Sequence, residues 1–189
     1  MLDRRDLVKG LLRDRGDLLV VSGLGAPTYD VAAAGEHPLN FYLWGAMGGA
    51  AMIGLGLALA RPKNRVLVVT GDGEMLMGLG SLATIGVKQP RNLSIVVLDN
   101  RHYGETGMQA SHTHSGVDLV GVAQACRFNQ ARAISIVSEI EAARRLVQSG
   151  EGSLFIQAQV EAENLPRVLP TRDGNENRVR FIQALAEPS

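Results

Sequence analysis

One cysteine, Cys126, stands in a chain of 189 residues. A single thiol excludes an intramolecular disulfide framework, and it excludes a cysteine-ligated metal or iron–sulfur site within the chain. Cys126 reads as a small buried hydrophobe rather than a nucleophile. Charge of one sign is also missing: 19 Lys and Arg against 19 Asp and Glu give a formal net charge of zero. Without a basic stripe there is no footprint for nucleic acid, and balanced charge gives no attraction to an anionic membrane. The apolar stretch 46–60 is 15 residues long (60 − 46 + 1) and rich in glycine. That is short for a membrane span, so it reads as a buried helix packed on a sheet or on a neighbouring subunit. The first residues, Met1-Leu2-Asp3-Arg4-Arg5-Asp6, are charged where a secretory leader would not be, which makes a cytoplasmic protein the expectation.

Apolar residues make up 46% of the chain, with 22 glycines, a composition that suits a closely packed fold with many sharp turns. Leu7, Val8, Leu11 and Leu12 have helical spacing, and 18–21 is a strand ending at Ser22-Gly23-Leu24-Gly25. After a loop with Gly, Pro and His come a helix from about Met47, a strand at 66–69, a helix over 76–87 and a strand over 93–98. Then follow a helix over 117–125 and a strand over 133–137. Ser138-Glu139-Ile140-Glu141 resembles a capping box opening a helix that stops at Gly150, and 154–160 is the last strand. Such alternation implies an α/β fold: a doubly wound, mostly parallel sheet with helices on both faces. The length fits one domain over 1–189. Residues 161–189 form a C-terminal extension that wraps the surface or a partner before a short helix near 179–185.

The most informative stretch is 71–100. A valine-rich strand leads into Gly71-Asp72-Gly73, and the apolar run Leu93-Ser94-Ile95-Val96-Val97-Leu98 closes in Asp99-Asn100. Asp72 and Asn100 thus stand at the carboxyl ends of two buried strands, where a doubly wound sheet forms its ligand crevice. Their separation of 28 positions (100 − 72) matches a turn, a crossover helix and a strand. A carboxylate and an amide oxygen are hard ligands suited to Mg²⁺ or Ca²⁺, and flanking glycines let backbone N–H groups approach phosphate. The combination points to a metal-bridged diphosphate.

This pattern resembles the thiamine-diphosphate motif, which opens with Gly-Asp-Gly and closes with a pair that is usually Asn-Asn. Asp99, in the first place of that pair, is a mild departure. By the resemblance Asp72 and Asn100 bind Mg²⁺ through their side chains and His102 through its backbone carbonyl; its imidazole is not implied as a ligand. A second stretch, Trp44-Gly45-Ala46-Met47-Gly48-Gly49, is similar to the segment of thiamine-diphosphate decarboxylases in which a glycine carbonyl meets the cofactor's 4′-amino group and a large apolar side chain bends the cofactor. Gly45 and Met47 match those positions, with a plain core methionine as the alternative for Met47. The cofactor-binding set implied is Gly45, Ala46 and Met47, then Gly71, Asp72, Gly73 and Glu74, then Asn100, His102, Tyr103, Gly104 and Glu105.

The resemblance covers nearly the whole chain and is to the diphosphate-binding half of the family's decarboxylases, above all those of sulfopyruvate and phosphonopyruvate. It implies a thiamine-diphosphate- and Mg²⁺-dependent decarboxylase of a small anionic 2-oxo acid. Another thiamine-diphosphate enzyme, such as an acetolactate-synthase-like carboligase or an aryl 2-oxo acid decarboxylase, or a non-catalytic cofactor-binding module, stays open beside it. The family's activating glutamate belongs to a pyrimidine-binding domain that this chain does not resemble, so a separate subunit is implied as its source. Self-association through the glycine-rich face near 49–56 is a further expectation. No catalytic residue is certain: His112 and His114 are candidates for proton transfer or for an anionic tail, Glu105 for substrate contact and Arg101 for an anion. Met108 and Ala110 depart from the family's pattern around Gln109, which leaves the substrate open.

Overall fold

The computed structural model describes residues 1–186. The chain begins with α1 (Arg4–Leu12), β1 (Leu19–Ser22), α2 (Ala26–Ala33), β2 (Asn40–Tyr42), α3 (Ala50–Ala60), β3 (Val66–Gly71), α4 (Asp72–Met77), α5 (Ser81–Lys88) and β4 (Leu93–Asp99). It continues with β5 (His102–Tyr103), β6 (Gln109–Ala110), α6 (Leu119–Ala125), β7 (Gln130–Ile134), α7 (Ile140–Ser149), β8 (Leu154–Gln159) and α8 (Gly174–Ala186). Six strands form one sheet in the order β2-β1-β3-β4-β8-β7, and every pairing in it is parallel. The α/β fold expected from the alternation is therefore present.

Successive strand residues face opposite ways, and the two cores follow from that period of two. Val20, Leu67, Val69, Val96, Leu98 and Ile156 pack against α1, α2 and α7. Val21, Val66, Val68, Ile95, Val97 and Phe155 pack against α3, α5, α6 and α8. Among the described residues no helix is long and apolar enough to cross a membrane.

Several expectations need correction. The stretch read as a loop holds α2 and the edge strand β2. Gly25, at φ 73°, caps α2 and Pro27 sits in its first turn, where its missing N–H costs nothing; a turn-rich composition hid a helix. The helix read over 76–87 is two, α4 and α5. A Cβ on Gly78 would overlap the Gly48 carbonyl, so the break is where the loop leading into α3 packs in. The helix expected from Met47 starts at Ala50, the strand expected at 133–137 runs from Gln130 to Ile134, and the C-terminal helix starts at Gly174. Ser138 does not cap α7. The Glu139 carboxylate accepts from the Ser135 and Ile136 backbone N–H groups at 2.9 and 3.1 Å, within a 3₁₀ turn that precedes the helix. Nor is α3 buried all round: Ala51, Gly54, Leu55 and Ala58 face the sheet, whereas Met52, Ile53 and Leu59 are exposed.

Residues 161–173 run as an irregular strap before α8, and residues 187–189 of the expected extension lie outside the described residues. The strap is tied to the chain's own surface. Arg4 Nη1 donates to the Glu163 carbonyl at 3.0 Å, Arg5 Nη2 donates to the Pro166 carbonyl, and the Trp44 indole donates to the Thr171 carbonyl at 2.8 Å.

Candidate active site

A crevice of about 360 Å³ opens at the carboxyl ends of β3, β4 and β8. One wall is the start of α4 with Gly71, Asp72, Gly73 and Glu74; another is the loop after β4 with Asn100, His102, Tyr103, Gly104 and Glu105. Met47 completes the set of sequence-predicted residues that share it. Gly45 and Ala46 lie just before Met47 and are exposed without lining the crevice. Arg101, His112 and His114 do not line it either. Their loop folds behind the wall: the Tyr103 hydroxyl meets His112 Nδ1 at 2.8 Å, and the His114 ring lies edge-on to His102 at 5.9 Å.

Asp72 is the buried focus, 2% exposed. Its Oδ2 accepts from the Ser111 hydroxyl at 2.5 Å and lies 3.3 Å from Thr113 Oγ1. Ser111 and Thr113 are themselves 2.9 Å apart, and Thr113 Oγ1 is 2.7 Å from Asp99 Oδ1. Two hydroxyl protons therefore serve four close oxygen–oxygen contacts that include two carboxylates. Burial pushes the Asp72 carboxyl up to about 6, with the Ser111 hydrogen bond opposing and the Asp99 charge adding to the rise. A cluster this short of positive charge fits a divalent cation.

The other candidate ligands are set by the turn after β4. Arg101 is held at φ 61°, its N–H donating to Asp99 Oδ1 at 3.0 Å. Asn100 Oδ1 accepts from the His102 N–H at 2.9 Å, which leaves that oxygen a second lone pair, and His102 Nδ1 lies 2.8 Å from the Asn100 carbonyl. The imidazole is thus engaged within its own turn. No three His, Cys, Asp or Glu side chains converge on one point among the described residues. The donors on offer are a carboxylate, an amide oxygen and a carbonyl, which suit a hard cation whose remaining ligands come from phosphate.

Around this centre glycine permits close approach. A Cβ on Gly73 would stand 2.8 Å from the Tyr103 ring and 3.6 Å from Met47 Cε. Met47 is 42% exposed and belongs to neither core, so the plain core alternative for it is set aside. Glu74 is a hub rather than an open carboxylate. Its Oε2 accepts from Thr70 Oγ1 at 3.0 Å and its Oε1 from the Ala50 N–H at 3.3 Å, which ties α3 to α4. Burial raises its pKa, opposed by those hydrogen bonds.

Two charged residues of the crevice carried no sequence signal. Arg4, 7% exposed, and Arg167 of the strap both line it. Asp30, fully buried, faces Arg4 Nε at 2.9 Å and Arg5 Nε at 3.3 Å, so one carboxylate meets two guanidinium groups. The Arg4 contact is poorly aligned for a hydrogen bond and acts as a charge contact. Arg167 pairs with Glu105 at 3.2 Å and lies over the Tyr29 ring at 5.5 Å. Neither arginine sits in a motif: Arg4 comes in at the start of α1 and Arg167 on the strap.

Residues 23–158 match the family described as thiamine pyrophosphate enzyme, C-terminal TPP binding domain. The chain belongs to that family. The TPP-binding domain it contains is 41% identical over 124 residues to the sulfopyruvate decarboxylase subunit beta of Methanocaldococcus jannaschii, an alignment spanning 65% of each chain. It is 36% identical over 183 residues to the protein of the same name from Methanothermobacter thermautotrophicus, spanning 97% of this chain and 95% of that one. The thiamine diphosphate-dependent 4-hydroxybenzoylformate decarboxylase of Rhodococcus jostii superposes with a TM-score of 0.70 at 18% identity, over 86% of this chain and 33% of that one. That likeness establishes the fold. The chain spans about a third of the solved enzyme.

Proposed function

We propose that this chain is the diphosphate-binding subunit of a thiamine-diphosphate- and Mg²⁺-dependent decarboxylase acting on a small 2-oxo acid with a second anionic group, of the sulfopyruvate or phosphonopyruvate kind. The observation that carries this is the convergence of Asp72, Asn100, His102 and Met47 on one crevice in a chain of this family. Asp72 and Asn100, with the His102 carbonyl, would hold the metal, and the backbone of Gly71 and Gly73 would face the diphosphate. Gly45 and Met47 would serve the aminopyrimidine side of the cofactor. When bound, the cofactor supplies an electron sink for loss of carbon dioxide.

The chain's own residues bind and orient. Arg4 and Arg167 bring positive charge to the crevice that Asp72 also lines, and a sulfonate or phosphonate is the group that such charge recognises. Glu105 holds the Arg167 guanidinium until that anion arrives. The activating glutamate is assigned to a separate pyrimidine-binding subunit, in keeping with the subunit names of the relatives. Self-association, expected through the glycine-rich face near 49–56, would instead use the outer face of α3, where Met52, Ile53 and Leu59 are exposed, because Gly54 packs against Val68 of the sheet.

The test is calorimetric titration of the full chain with thiamine diphosphate, with and without Mg²⁺, followed by carbon-dioxide release with sulfopyruvate, phosphonopyruvate and pyruvate on adding the second subunit. Cofactor binding that needs Mg²⁺, and turnover only in the mixture, is the expected result. Asp72→Ala should weaken binding by several kcal/mol, about the loss of a charged contact. Unchanged affinity in that variant would overturn the assignment.

A further inference from the structure

Asp99 ends β4 and is 1% exposed. Its carboxylate accepts three hydrogen bonds: from Thr113 Oγ1 at 2.7 Å and the Arg101 N–H at 3.0 Å on Oδ1, and from Gln157 Nε2 at 2.6 Å on Oδ2. All three donors are neutral, and among the described residues no Arg, Lys or His nitrogen lies within 4.0 Å of it. A buried carboxylate without a cation is costly unless a positive charge is supplied nearby. The position one hydroxyl away, at Asp72, is where the proposed Mg²⁺ would supply it.

We propose that Asp99 is a positioning residue for the metal ligand, acting through Thr113 and Ser111. Both Asp99 oxygens already face N–H donors, Arg101 on Oδ1 and Gln157 on Oδ2, so Asp99 acts as an acceptor and the Thr113 proton is committed to it. The remaining hydroxyl proton, on Ser111, then goes to Asp72 Oδ2, which fixes the rotation of that carboxylate and its face toward the crevice. Asp99 also adds a second negative charge, which strengthens the hold on a divalent cation. Where the family's motif usually has asparagine, this chain carries a charged strut behind its metal site. The inference rests on the reading of Asp72 as a metal ligand.

Asp99→Asn is a mild probe, because the Gln157 amide can turn over and present its oxygen to the new NH₂ group. The experiment counts Mn²⁺ bound to the full chain by electron paramagnetic resonance, with thiamine diphosphate at saturation, and follows folding by circular dichroism. We expect Asp99→Asn and Thr113→Val each to weaken Mn²⁺ binding by about tenfold, the usual effect of removing a group that orients a ligand. Thr113→Ser should restore it, and the double variant should lose less than the product of the two single losses, because part of the effect of Asp99 passes through Thr113. Wild-type Mn²⁺ affinity in folded Asp99→Asn and Thr113→Val overturns the inference; if Asp99→Asn does not fold, the Thr113→Val and Thr113→Ser pair decides. Asp72→Asn separates the two levels. Loss of Mn²⁺ there with no effect at Asp99 or Thr113 sinks the strut alone, whereas wild-type binding in Asp72→Asn sinks the metal-ligand reading itself.

Discussion

Arg167 of the strap and Glu105 of the loop after β4 meet at 3.2 Å across the mouth of the crevice, with the guanidinium lying over Tyr29. Both side chains are partly exposed, so their mutual attraction contributes little to folding. The pairing matters for what enters. In the reconstituted enzyme, Arg167→Gln should lower kcat/KM for a sulfonate- or phosphonate-bearing 2-oxo acid by about tenfold or more, the range of a charged hydrogen bond. Pyruvate, which lacks the second anion, should be nearly unaffected. Equal losses for both substrates would assign Arg167 to holding the strap.

The pH dependence follows from the raised Asp72 carboxyl. Below about pH 4 it is protonated in both folded and unfolded chains. As pH rises toward 6 the unfolded chain ionises first, so stability falls over that window and the full penalty, on the order of 3 kcal/mol, is present at neutral pH. Burial raises Glu74 and Asp30 in the same direction. The metal-free protein should therefore melt at a lower temperature at pH 7 than at pH 5. Mg²⁺ with thiamine diphosphate should raise the melting temperature more at pH 7, because protons compete for Asp72 at pH 5. Scanning calorimetry at the two pH values decides it, and an equal gain at both would remove Asp72 from the linkage.

Met47 makes a cleaner functional probe than a core methionine. Because it is 42% exposed, Met47→Ala leaves no sealed cavity and should cost less than the 2–5 kcal/mol of a buried truncation. Turnover of the reconstituted enzyme should drop by at least about tenfold, with the melting temperature nearly unchanged. A folded variant with normal turnover rules out Met47 as the wedge.

The two glycines of α3 should respond with opposite signs. Gly54 lies against Val68 of the central strand β3, and a Cβ there would overlap Val68 Cγ2. Gly54→Ala should lose about 1–3 kcal/mol by overpacking. Gly56 faces open space, and Gly56→Ala should gain roughly 0.5–1 kcal/mol from helix propensity. Urea unfolding of both variants measures the contrast.

The strands β1, β3, β4 and β8 and the Asp72-to-Asn100 spacing were legible because each rests on local pattern: runs of Val, Leu and Ile, and acidic or amide residues at strand ends. The helix α2 was not, because Gly25 and Pro27 carry turn chemistry that also opens helices. The histidines stand out by their chemistry, yet 109–118 folds so that Ser111 and Thr113, not His112 or His114, reach Asp72. Neither that reversal nor Arg4 and Arg167 in the crevice follows from local sequence, since each depends on contacts between distant segments.

The contact between Arg4 and the Glu163 carbonyl spans 159 positions of sequence, and Leu2 bridges to Val160 beside it. Closing so long a loop is slow and is rewarded only once the intervening sheet exists. The arginine-lined wall should therefore be among the later parts of the molecule to come together on folding. A chain with its central strands paired but its ends unjoined would present the metal-side residues without the anion-binding wall. Recovery of substrate discrimination on refolding should accordingly trail recovery of cofactor binding.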